Sequence, residues 1–236
     1  MLPVSINMSK GKPSFAKASK GKLIVFEGAD GSGKTTQAKF LVNFLKDQNI
    51  SNSYISFPRY EESLWGKMVA RYLHGDFGKL NEVDPYFASM LYAGDRMSAS
   101  AVIKKWLSSG MFVVCNRYIG SNIAHMAGKL RSQSEKSKFI KWLEELEYEE
   151  NRIPHEDLVI FLYVPVAVSR KLIKNRKLDI HEADLNYLGR VLDVYELYAK
   201  SHNNWVKVDC TDNGQILPKE EIHKKVLEVL KKRKFI

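Results

Sequence analysis

The stretch that decides the fold is Leu23-Ile24-Val25-Phe26-Glu27-Gly28-Ala29-Asp30-Gly31-Ser32-Gly33-Lys34-Thr35. Its four consecutive apolar residues predict a short strand that is buried on both faces. Residues 28–35 then match the phosphate-binding pattern G-x-x-x-x-G-K-[ST] in full. The apolar residues that follow recur at helical spacing: Ala38, Leu41, Val42 and Leu45. A strand, a glycine-rich turn and a helix in this order are the context in which the pattern forms a phosphate-binding loop, or P-loop.

The chemistry of this loop follows from its backbone. We expect the N–H groups of Gly31 to Thr35 to line a concave nest at a helix amino terminus, where partial positive charge meets phosphate oxygens. Lys34 would reach the β- and γ-phosphates, and the Thr35 hydroxyl would take a Mg²⁺ coordination position. A plain glycine turn is the alternative, and eight matching positions argue against it. The predicted phosphate-binding residues are Gly28, Gly31, Ser32, Gly33, Lys34, Thr35 and Thr36.

Strands alternate with helices along the rest of the chain. Further strands are predicted over residues 53–57, 111–115, 157–164 and 205–208. Helices are predicted over 84–109, 134–149 and 166–177, and around 188–199 and 220–230. No Asn-Gly hairpin is expected between neighbouring strands. This alternation predicts an α/β fold with a five-stranded parallel sheet covered by helices on both faces, in one domain over residues 22–236.

Composition and charge exclude several classes of protein. The chain has 236 residues, 44% hydrophobic and 27% charged, with a net charge of +10. Residues 1–22 carry five lysines and no acid. We therefore interpret residues 1–21 as a flexible basic leader, with a transit peptide or a nucleic-acid-binding arm as alternatives. The remaining charge suits a protein that handles polyanionic small molecules, and we expect no nucleic-acid partner.

Neither a membrane span nor a disulfide framework is expected. No run of about 18 uncharged apolar residues occurs, so we expect no membrane partner. Cys115 and Cys210 each lie in or beside an apolar run, which favours simple burial in a reducing compartment and hence a cytoplasmic protein. The six histidines and two cysteines show no metal-ligand spacing.

A P-loop alone does not distinguish a switch protein from a kinase. A GTPase needs a base-reading Asn-Lys-x-Asp motif after a later strand, and this sequence has none. Motor and transporter ATPases carry an apolar run that ends in an Asp for Mg²⁺. Here the run over 111–115 ends in Asn116-Arg117-Tyr118 instead.

Four motifs together resemble the thymidylate kinase family. Phe26-Glu27-Gly28-x-Asp30-Gly31-Ser32-Gly33-Lys34-Thr35-Thr36-Gln37 is similar to the opening of these enzymes. Phe57-Pro58-Arg59, Tyr92-x-x-x-Arg96 and Arg117-Tyr118-x-x-Ser121-Asn122 follow in the family's order. The resemblance spans residues 22 to about 210. It implies a three-layer P-loop kinase fold with a short lid near 170–184, transfer of phosphate from Mg²⁺-ATP to dTMP, and a homodimer.

The resemblance also predicts which residues bind the base of the acceptor, dTMP. It implies that the Tyr92 ring stacks on thymine, that Arg96 bonds the base edge, and that Asn122 reads the pyrimidine with its amide. Tyr92 and Arg96 are four residues apart, so they share one helix face. A core tyrosine beside a surface arginine is the alternative explanation.

The resemblance also predicts which residues bind the phosphate and the sugar of the acceptor. The resemblance implies that Arg59 and Arg117 bind the acceptor phosphate and that Asp30 meets the sugar or the attacking phosphate. Arg59 follows a predicted strand end, where ligands of parallel sheets bind, although a solvated loop arginine is the alternative. Tyr187 is a further predicted dTMP contact. His125 stands where some relatives have a tyrosine near the sugar, or it is a satisfied pocket histidine.

The predicted lid carries a basic run that resembles the segment closing over ATP in this family. Such kinases need a cation at the transferring phosphoryl group, and the P-loop here contains no arginine. Arg176 and Lys171 are the preferred candidates, while a solvated helix face is the alternative. The basic run consists of Arg170, Lys171, Lys174, Arg176 and Lys177.

Two departures from the family pattern bear on activity. Asn116 stands where the family usually has Asp, which removes a charge near Mg²⁺. Leu185 and Leu188 stand beside Tyr187 where relatives tend to carry acids, for which Asp179, Glu182 or Asp184 could substitute. Two other functions therefore stay open. One is a kinase for another nucleoside monophosphate or a deoxynucleoside, and the other is a non-catalytic nucleotide-binding protein.

Overall fold

The computed structural model of this chain describes residues 20–172, 181 and 184–236. Its main strands are β1 (Lys22–Glu27), β2 (Asn52–Ser56), β3 (Phe112–Asn116), β4 (Leu158–Tyr163) and β5 (Trp205–Asp209). Its helices are α1 (Lys34–Asp47), α2 (Leu64–His74), α3 (Pro85–Ser108), α4 (Ile119–Ala127), α5 (Gln133–Glu144), α6 (Val166–Leu172), α7 (Leu185–Ser201) and α8 (Lys219–Lys232).

Five parallel strands form the central sheet in the order β2-β3-β1-β4-β5. Strand β1 lies in the middle, with Val25 paired to Cys115 on one side and to Val159 on the other. The predicted five-stranded parallel sheet is thus confirmed. Because parallel strands all end at the same edge, the loops after β1, β2 and β3 meet there.

Neighbouring residues of β1 point into different layers. Leu23 and Val25 belong to a core that includes residues of α2, α3, α4 and α7. Ile24 and Phe26 belong to a second core, built with α1 and α8. All four side chains are fully buried, and each contributes about 1.5–3 kcal/mol by leaving water. Helices therefore cover both faces of the sheet, as the continuous apolar run predicted.

Helix α3 begins and ends close to its predicted limits. The Asp84 carboxylate accepts hydrogen bonds from the backbone N–H groups of Tyr86 (2.8 Å) and Phe87 (3.1 Å), and Pro85 occupies the first turn. These interactions satisfy donors that would otherwise be unpaired at the amino terminus. Since Tyr92 and Arg96 lie on α3, the residue at which this helix begins fixes their positions relative to the edge of the sheet.

Several elements differ from the predictions. Helices α2 and α4, which both contribute to the sheet edge, were not predicted. The predicted charged helix over 134–149 ends at Glu144 and continues as a π-helical segment, Glu145–Glu150. In a π-helix each hydrogen bond spans one residue more than in an α-helix, and this segment places Glu147 in the interior.

The expectation that no Asn-Gly hairpin joins neighbouring strands is wrong. Strands β6 (Thr211–Asp212) and β7 (Gln215–Ile216) pair antiparallel around Asn213 and Gly214. Both turn residues have positive φ, 47° and 74°, as two-residue hairpin turns require. Strands of two residues leave no alternating pattern in the sequence. The hairpin forms its own small sheet, so the parallel order of the main sheet is unaffected.

Two predicted segments lie partly outside the described residues. Residues 1–19 of the predicted leader lie outside the described residues. Gly21 is packed, because its N–H donates to the Leu107 carbonyl at 2.9 Å and a Cβ there would meet the Met111 carbonyl oxygen at 2.4 Å. Of the predicted lid, residues 173–180 and 182–183 also lie outside, including Arg176. No helix in the described parts of the chain is long and apolar enough to cross a membrane.

Candidate active site

A cavity of about 640 Å³ opens at the carboxyl edge of the sheet, a volume in the range of small-molecule sites. It is formed by the P-loop, the loop after β2, helix α3 and the segment from β3 into α4. The predicted site residues that line it are Asp30, Gly31, Gly33, Lys34, Thr35, Thr36, Tyr92, Arg96, Arg117, Asn122 and His125. The structure therefore brings together the P-loop and most of the predicted acceptor residues.

The P-loop wraps around its own lysine. Lys34 is 6% exposed, and its ammonium donates to the carbonyls of Gly28 (2.9 Å) and Ala29 (2.7 Å). Gly28 has φ 146°, and a Cβ there would lie 2.5 Å from the Leu162 carbonyl oxygen, so only glycine fits. Gly28 and Ser32 are buried and do not line the cavity.

An amide joins the first turn of α1 to the sheet. Asn116 Nδ2 donates to Thr35 Oγ1 (3.1 Å) and to Ser56 Oγ (2.9 Å). Its Oδ1 is buried and has no hydrogen-bond partner among the described residues. A hydroxyl oxygen and an unpaired amide oxygen are hard ligands of the kind that Mg²⁺ takes, and this ion commonly keeps waters and substrate phosphates as its other ligands. The residues present therefore fit Mg²⁺.

Arg117 sits in a backbone conformation that is uncommon for a side-chain-bearing residue, with φ 65°. Its guanidinium forms an ion pair with Asp30 and donates to Ser121 Oγ at 3.1 Å. Burial acts to lower the pKa of Arg117, but the Asp30 carboxylate, together with Tyr195, Glu27 and Tyr60, raises it above its usual value. A permanently charged guanidinium beside the P-loop is an anion site.

The turn that carries Arg117 is held by Glu27, to which the sequence analysis gave no role. This fully buried carboxylate accepts from the N–H groups of Tyr118 (2.7 Å) and Ser121 (3.0 Å). It also accepts from the hydroxyls of Ser121 (2.5 Å) and Tyr195 (3.1 Å). The available signal was an acid at the end of an otherwise apolar strand, since a buried carboxylate needs several donors. Glu27 thus ties β1 to α4 and α7.

Tyr92 and Arg96 lie on one face of α3, as predicted, and Arg96 is almost fully buried in the wall of the cavity. It is 2% exposed and forms an ion pair with Glu147, with Nε to Oε1 at 2.8 Å. Its Nη1 also donates to the Tyr118 carbonyl (3.2 Å). Burial acts to lower the pKa of Arg96, but Glu147, together with Tyr118 and Glu27, raises it above its usual value. A guanidinium has five N–H donors, so donors remain for a ligand in the cavity.

Asn122 points its amide at the same region. Its Nδ2 donates to the Ser89 carbonyl at 3.2 Å, while Oδ1 is buried without a partner among the described residues. A buried, unpaired carbonyl oxygen costs roughly 1–3 kcal/mol. A ligand N–H group would relieve that cost.

Besides Gly28 and Ser32, three predicted site residues in the described part of the chain do not line the cavity. The Arg59 guanidinium is held by Asp95, with Nε to Oδ1 at 3.1 Å and Nη2 to the backbone oxygen at 3.0 Å. Asp95 is 1% exposed, and a buried carboxylate attracts the nearest cation. Tyr187 is fully buried behind His125. Lys171 is exposed in the last turn of α6, whereas Leu172 and His181 do line the cavity.

A lysine-bearing phosphate loop at the end of a central parallel strand, facing a second half-site with an aromatic ring and buried guanidinium groups, defines a P-loop nucleotide kinase. The family model of thymidylate kinase matches residues 26–226. The chain belongs to the thymidylate kinase family.

Individual relatives agree with this assignment. The chain is 30% identical to the thymidylate kinase of Plasmodium falciparum, over 91% of this chain and 92% of that protein. It is 33% identical to the probable thymidylate kinase of Methanocaldococcus jannaschii, over 88% and 95%. A solved thymidylate kinase structure from Candida albicans superposes with a TM-score of 0.71 at 22% identity, covering 91% of this chain and 93% of that one. That likeness shows the P-loop kinase fold.

Proposed function

We propose that this chain transfers the γ-phosphoryl group of ATP to dTMP, giving dTDP and ADP. The observation that carries the proposal is one cavity that is lined both by the P-loop residues Asp30 and Lys34 and by Tyr92, Arg117 and Asn122. The family and its named relatives support dTMP as the acceptor.

For this reaction the protein has to position the two substrates and stabilise the charge on the transferring phosphoryl group. A phosphate oxygen of dTMP attacks the γ-phosphorus, and the bond from that phosphorus to the β–γ bridging oxygen breaks. Lys34 now donates to two loop carbonyls, and we infer that ATP replaces these acceptors with β- and γ-phosphate oxygens. The P-loop N–H groups at the start of α1 stabilise the same charge.

Mg²⁺ is the metal that we propose for the reaction. Thr35 Oγ1 and Asn116 Oδ1 would hold it, directly or through water. When bound, Mg²⁺ neutralises charge on the β- and γ-phosphates. Among the described residues, no group of three or more His, Cys, Asp or Glu side chains forms another metal site.

In the acceptor half, we propose that the Tyr92 ring stacks on thymine while Asn122 and Arg96 bond its edge. The unpaired Asn122 Oδ1 suits the imide N–H of thymine, and the spare Arg96 donors suit a carbonyl. Arg117 would bind the acceptor phosphate, with Asp30 beside it. Arg59 would also bind the acceptor phosphate only if a ligand draws its guanidinium away from Asp95.

We propose that the lid supplies the remaining cation. Arg176 and Lys171 are the candidates. Lys171 is exposed and does not line the cavity, which favours Arg176, a residue outside the described ranges.

We further propose a homodimer in the cytoplasm. Large apolar side chains are exposed along α2 and α3, and monomers rarely leave large apolar patches in water. On α3 they recur at helical spacing. The exposed fractions are Leu64 75%, Trp65 38%, Phe87 43%, Met90 45% and Met97 43%. Sedimentation equilibrium of the full chain and of Met90→Lys tests this surface, and an unchanged monomer in both would contradict it.

The function is tested by coupled ADP release with a panel of acceptors. We expect dTMP to react fastest, dUMP more slowly, and dCMP and purine monophosphates poorly, because a donor facing the cytosine amino group costs roughly 1–3 kcal/mol. Faster turnover of another monophosphate or of a deoxynucleoside would make the chain a different kinase. Nucleotide binding without ADP release from any acceptor would make it a non-catalytic relative.

A further inference from the structure

A second cavity lies at the edge of the sheet opposite to the active-site cavity. It encloses about 620 Å³, and residues just before β4 and β5, at the amino ends of the strands, contribute to its lining. Among the described residues, the two cavities have no lining residue in common. Of the described residues that line the second cavity, four are glutamates (Glu144, Glu145, Glu149 and Glu156) and one is a lysine, Lys141. This is an acidic cavity in a chain whose net charge is +10.

One part of the lining, which we call the Glu156 group, consists of Glu156, Tyr148 and His155. The Tyr148 hydroxyl donates a hydrogen bond to the Glu156 carboxylate at 2.7 Å. The Tyr148 ring stacks on the His155 ring, with centroids 4.0 Å apart and planes 15° apart. The group therefore presents a carboxylate next to a pair of flat rings.

A second part, the Glu144 group, repeats this arrangement with Glu144, Tyr198 and His202. The Tyr198 hydroxyl donates to the Glu144 carboxylate at 2.6 Å, and its ring stacks on that of His202, with centroids 3.8 Å apart and planes 22° apart. The Trp205 ring meets the Tyr198 ring edge-on, with centroids 5.1 Å apart. Because both groups line the same cavity, a single ligand can contact both of them.

The Glu156 carboxylate is only 8% exposed and forms no ion pair in the described part of the chain. Burial raises the pKa of Glu156 to about 7, the hydrogen bond from Tyr148 partly opposes this rise, and the negative charges of Glu27 and Glu147 add to it. Removing a carboxylate from water costs free energy that a cation in contact with it offsets. A ligand cation in this cavity would supply the missing positive charge.

The chemistry of the lining favours an organic cation with two charged ends. The acids in the described part of the chain do not come together in a group of three that could hold one metal ion. The Glu156 and Glu144 carboxylates instead belong to separate groups, each beside stacked rings. Aromatic rings attract an ammonium group and pack against an alkyl chain. Ammonium groups joined by a short alkyl chain match this pattern, and that is the structure of an aliphatic polyamine.

We propose that this cavity binds an aliphatic polyamine, with one ammonium group at Glu156 and another at Glu144. The ammonium groups donate to the two carboxylates, and the alkyl chain between them contacts the aromatic rings of the lining. The inference goes beyond the proposed function and does not depend on it, because the two cavities are built from different described residues.

Calorimetric titration of the full chain tests the site with three probes: 1,4-diaminobutane, spermidine and the one-ended butylamine. The tighter-binding polyamine should bind at least about tenfold more tightly than butylamine, because its second ammonium group adds another charged hydrogen bond. Equal affinities for the three probes would contradict a site with two carboxylate ends.

Two variants each remove one proposed partner while keeping a side chain of the same shape. Glu156→Gln and Glu144→Gln should each weaken polyamine binding about tenfold or more. The matched control is Glu150→Gln, which removes the same charge from an exposed position on the same π-helical segment, outside the cavity. It should keep the wild-type affinity. Circular dichroism spectra show whether each variant is folded.

The affinity should also depend on pH through Glu156. Alkylammonium groups keep their protons between pH 6 and 8, whereas Glu156 loses its proton over this range. Binding to wild type should therefore strengthen about tenfold from pH 6 to pH 8. In Glu156→Gln the change should be less than about threefold, the remainder coming from His202, whose pKa Glu144 raises against the effect of burial. The other titratable or charged groups around Glu156 are Lys141, Glu144, Glu145, Tyr148, Glu149, His155, Tyr198, Glu27 and Glu147.

A last measurement needs only wild type once its histidine resonances are assigned. In proton–nitrogen spectra of the histidine side chains, the polyamine should shift the resonances of His155 and His202, which line this cavity. The resonances of His125 and His181, which line the active-site cavity, should stay in place. Shifts confined to His125 and His181 would overturn the proposal. So would the absence of polyamine binding at millimolar concentration, or equal affinities in wild type, Glu156→Gln and Glu144→Gln.

Discussion

The side chain of Asn116 donates a hydrogen bond to the hydroxyl of Thr35 across 3.1 Å. This bond joins the end of β3 to the first turn of α1, where the resemblance to the family leads one to expect a carboxylate. The Asn116 amide takes the place of that carboxylate but carries no charge. Its Oδ1 atom has no hydrogen-bond partner among the described residues.

Asn116→Asp should therefore tighten Mg²⁺ binding. A carboxylate is a stronger ligand than an amide oxygen, and charge-assisted contacts are about twice as strong as neutral ones. We expect the half-saturating Mg²⁺ concentration to fall about five- to tenfold, or about 1 kcal/mol. Activity titrated with Mg²⁺ and calorimetry with Mg²⁺-ADP both measure this. Asn52→Asp, at the far end of β2, adds the same charge as a control. Equal Mg²⁺ curves for wild type and Asn116→Asp would count against metal contact at this position.

Lys34→Ala should remove turnover without unfolding the chain. The ammonium is the charge closest to the expected β- and γ-phosphates, and we expect kcat to fall at least about a hundredfold. Lys39→Ala, on the exposed side of the same helix, should keep wild-type kcat. Steady-state kinetics and thermal melts give both quantities. A variant of Lys34 with near-normal kcat would remove the phosphate cradle from the mechanism.

Neutralising the lid cation should lower kcat more than it raises the KM for dTMP, because the charge acts on the transferring group. Arg176→Gln and Lys171→Gln are assayed separately, and Lys200→Gln on α7 is the control. We expect the larger loss at Arg176. If none of the five basic lid residues loses more than a few-fold when changed to Gln, the cation must come from elsewhere.

Glu147→Ala should destabilise the fold strongly. It leaves the Arg96 guanidinium buried without its carboxylate, and breaking such a pair costs about 3–5 kcal/mol. For a domain of this size that corresponds to a fall in Tm of roughly 10 °C. Glu149→Ala, an exposed neighbour, should change Tm by less than about 2 °C. Calorimetry measures both, and matching melts for the two variants would mean that the pair does not support the fold.

Glu156→Gln should stabilise the chain at alkaline pH and not at acidic pH. Burial raises the pKa of Glu156 to about 7, partly opposed by the hydrogen bond from Tyr148. The folded state thus holds a proton that the unfolded state loses near pH 4.5, so wild-type stability falls between pH 4.5 and 7. The variant should gain about 3 kcal/mol at pH 8 relative to pH 4.5. Urea unfolding at both pH values, with Glu149→Gln as control, tests this, and a pH-independent difference would contradict the cause.

The predictions from sequence succeeded where a pattern is local. The apolar run before the P-loop and the Asp84-Pro85 start of α3 both encode structure within a few residues, and the spacing of Tyr92 and Arg96 correctly gave a shared helix face. What failed depends on structure that the local pattern does not show. The helix predicted over 134–149 ends at Glu144 and continues as a π-helical segment that contains the buried Glu147. The Arg59 guanidinium is held by Asp95, which lies 36 residues further along the chain.

The same limit explains the missed residues in the cavity wall. His181 is brought against His125 and Tyr72 by folding, and nothing in its own surroundings in the sequence marks it. Glu27 was visible as an acid in an apolar strand, but its four donors come from α4, α7 and the turn before α4. The sequence can indicate that such a carboxylate is buried, but it cannot indicate which donors bind it.

The Glu27 contacts also bear on the order in which the chain gains activity. The nucleotide loop is local to β1 and α1, whereas the turn that holds Arg117 is pinned by a carboxylate shared with Tyr195 of α7. If α7 opens, that turn loses one anchor while the loop keeps all of its own. Hydrogen exchange should then show the amides of Tyr118 and Ser121 opening together with α7, at lower free energy than those of β1. A partly opened molecule would keep its ATP loop intact while the turn that carries Arg117 is held less firmly for the second substrate.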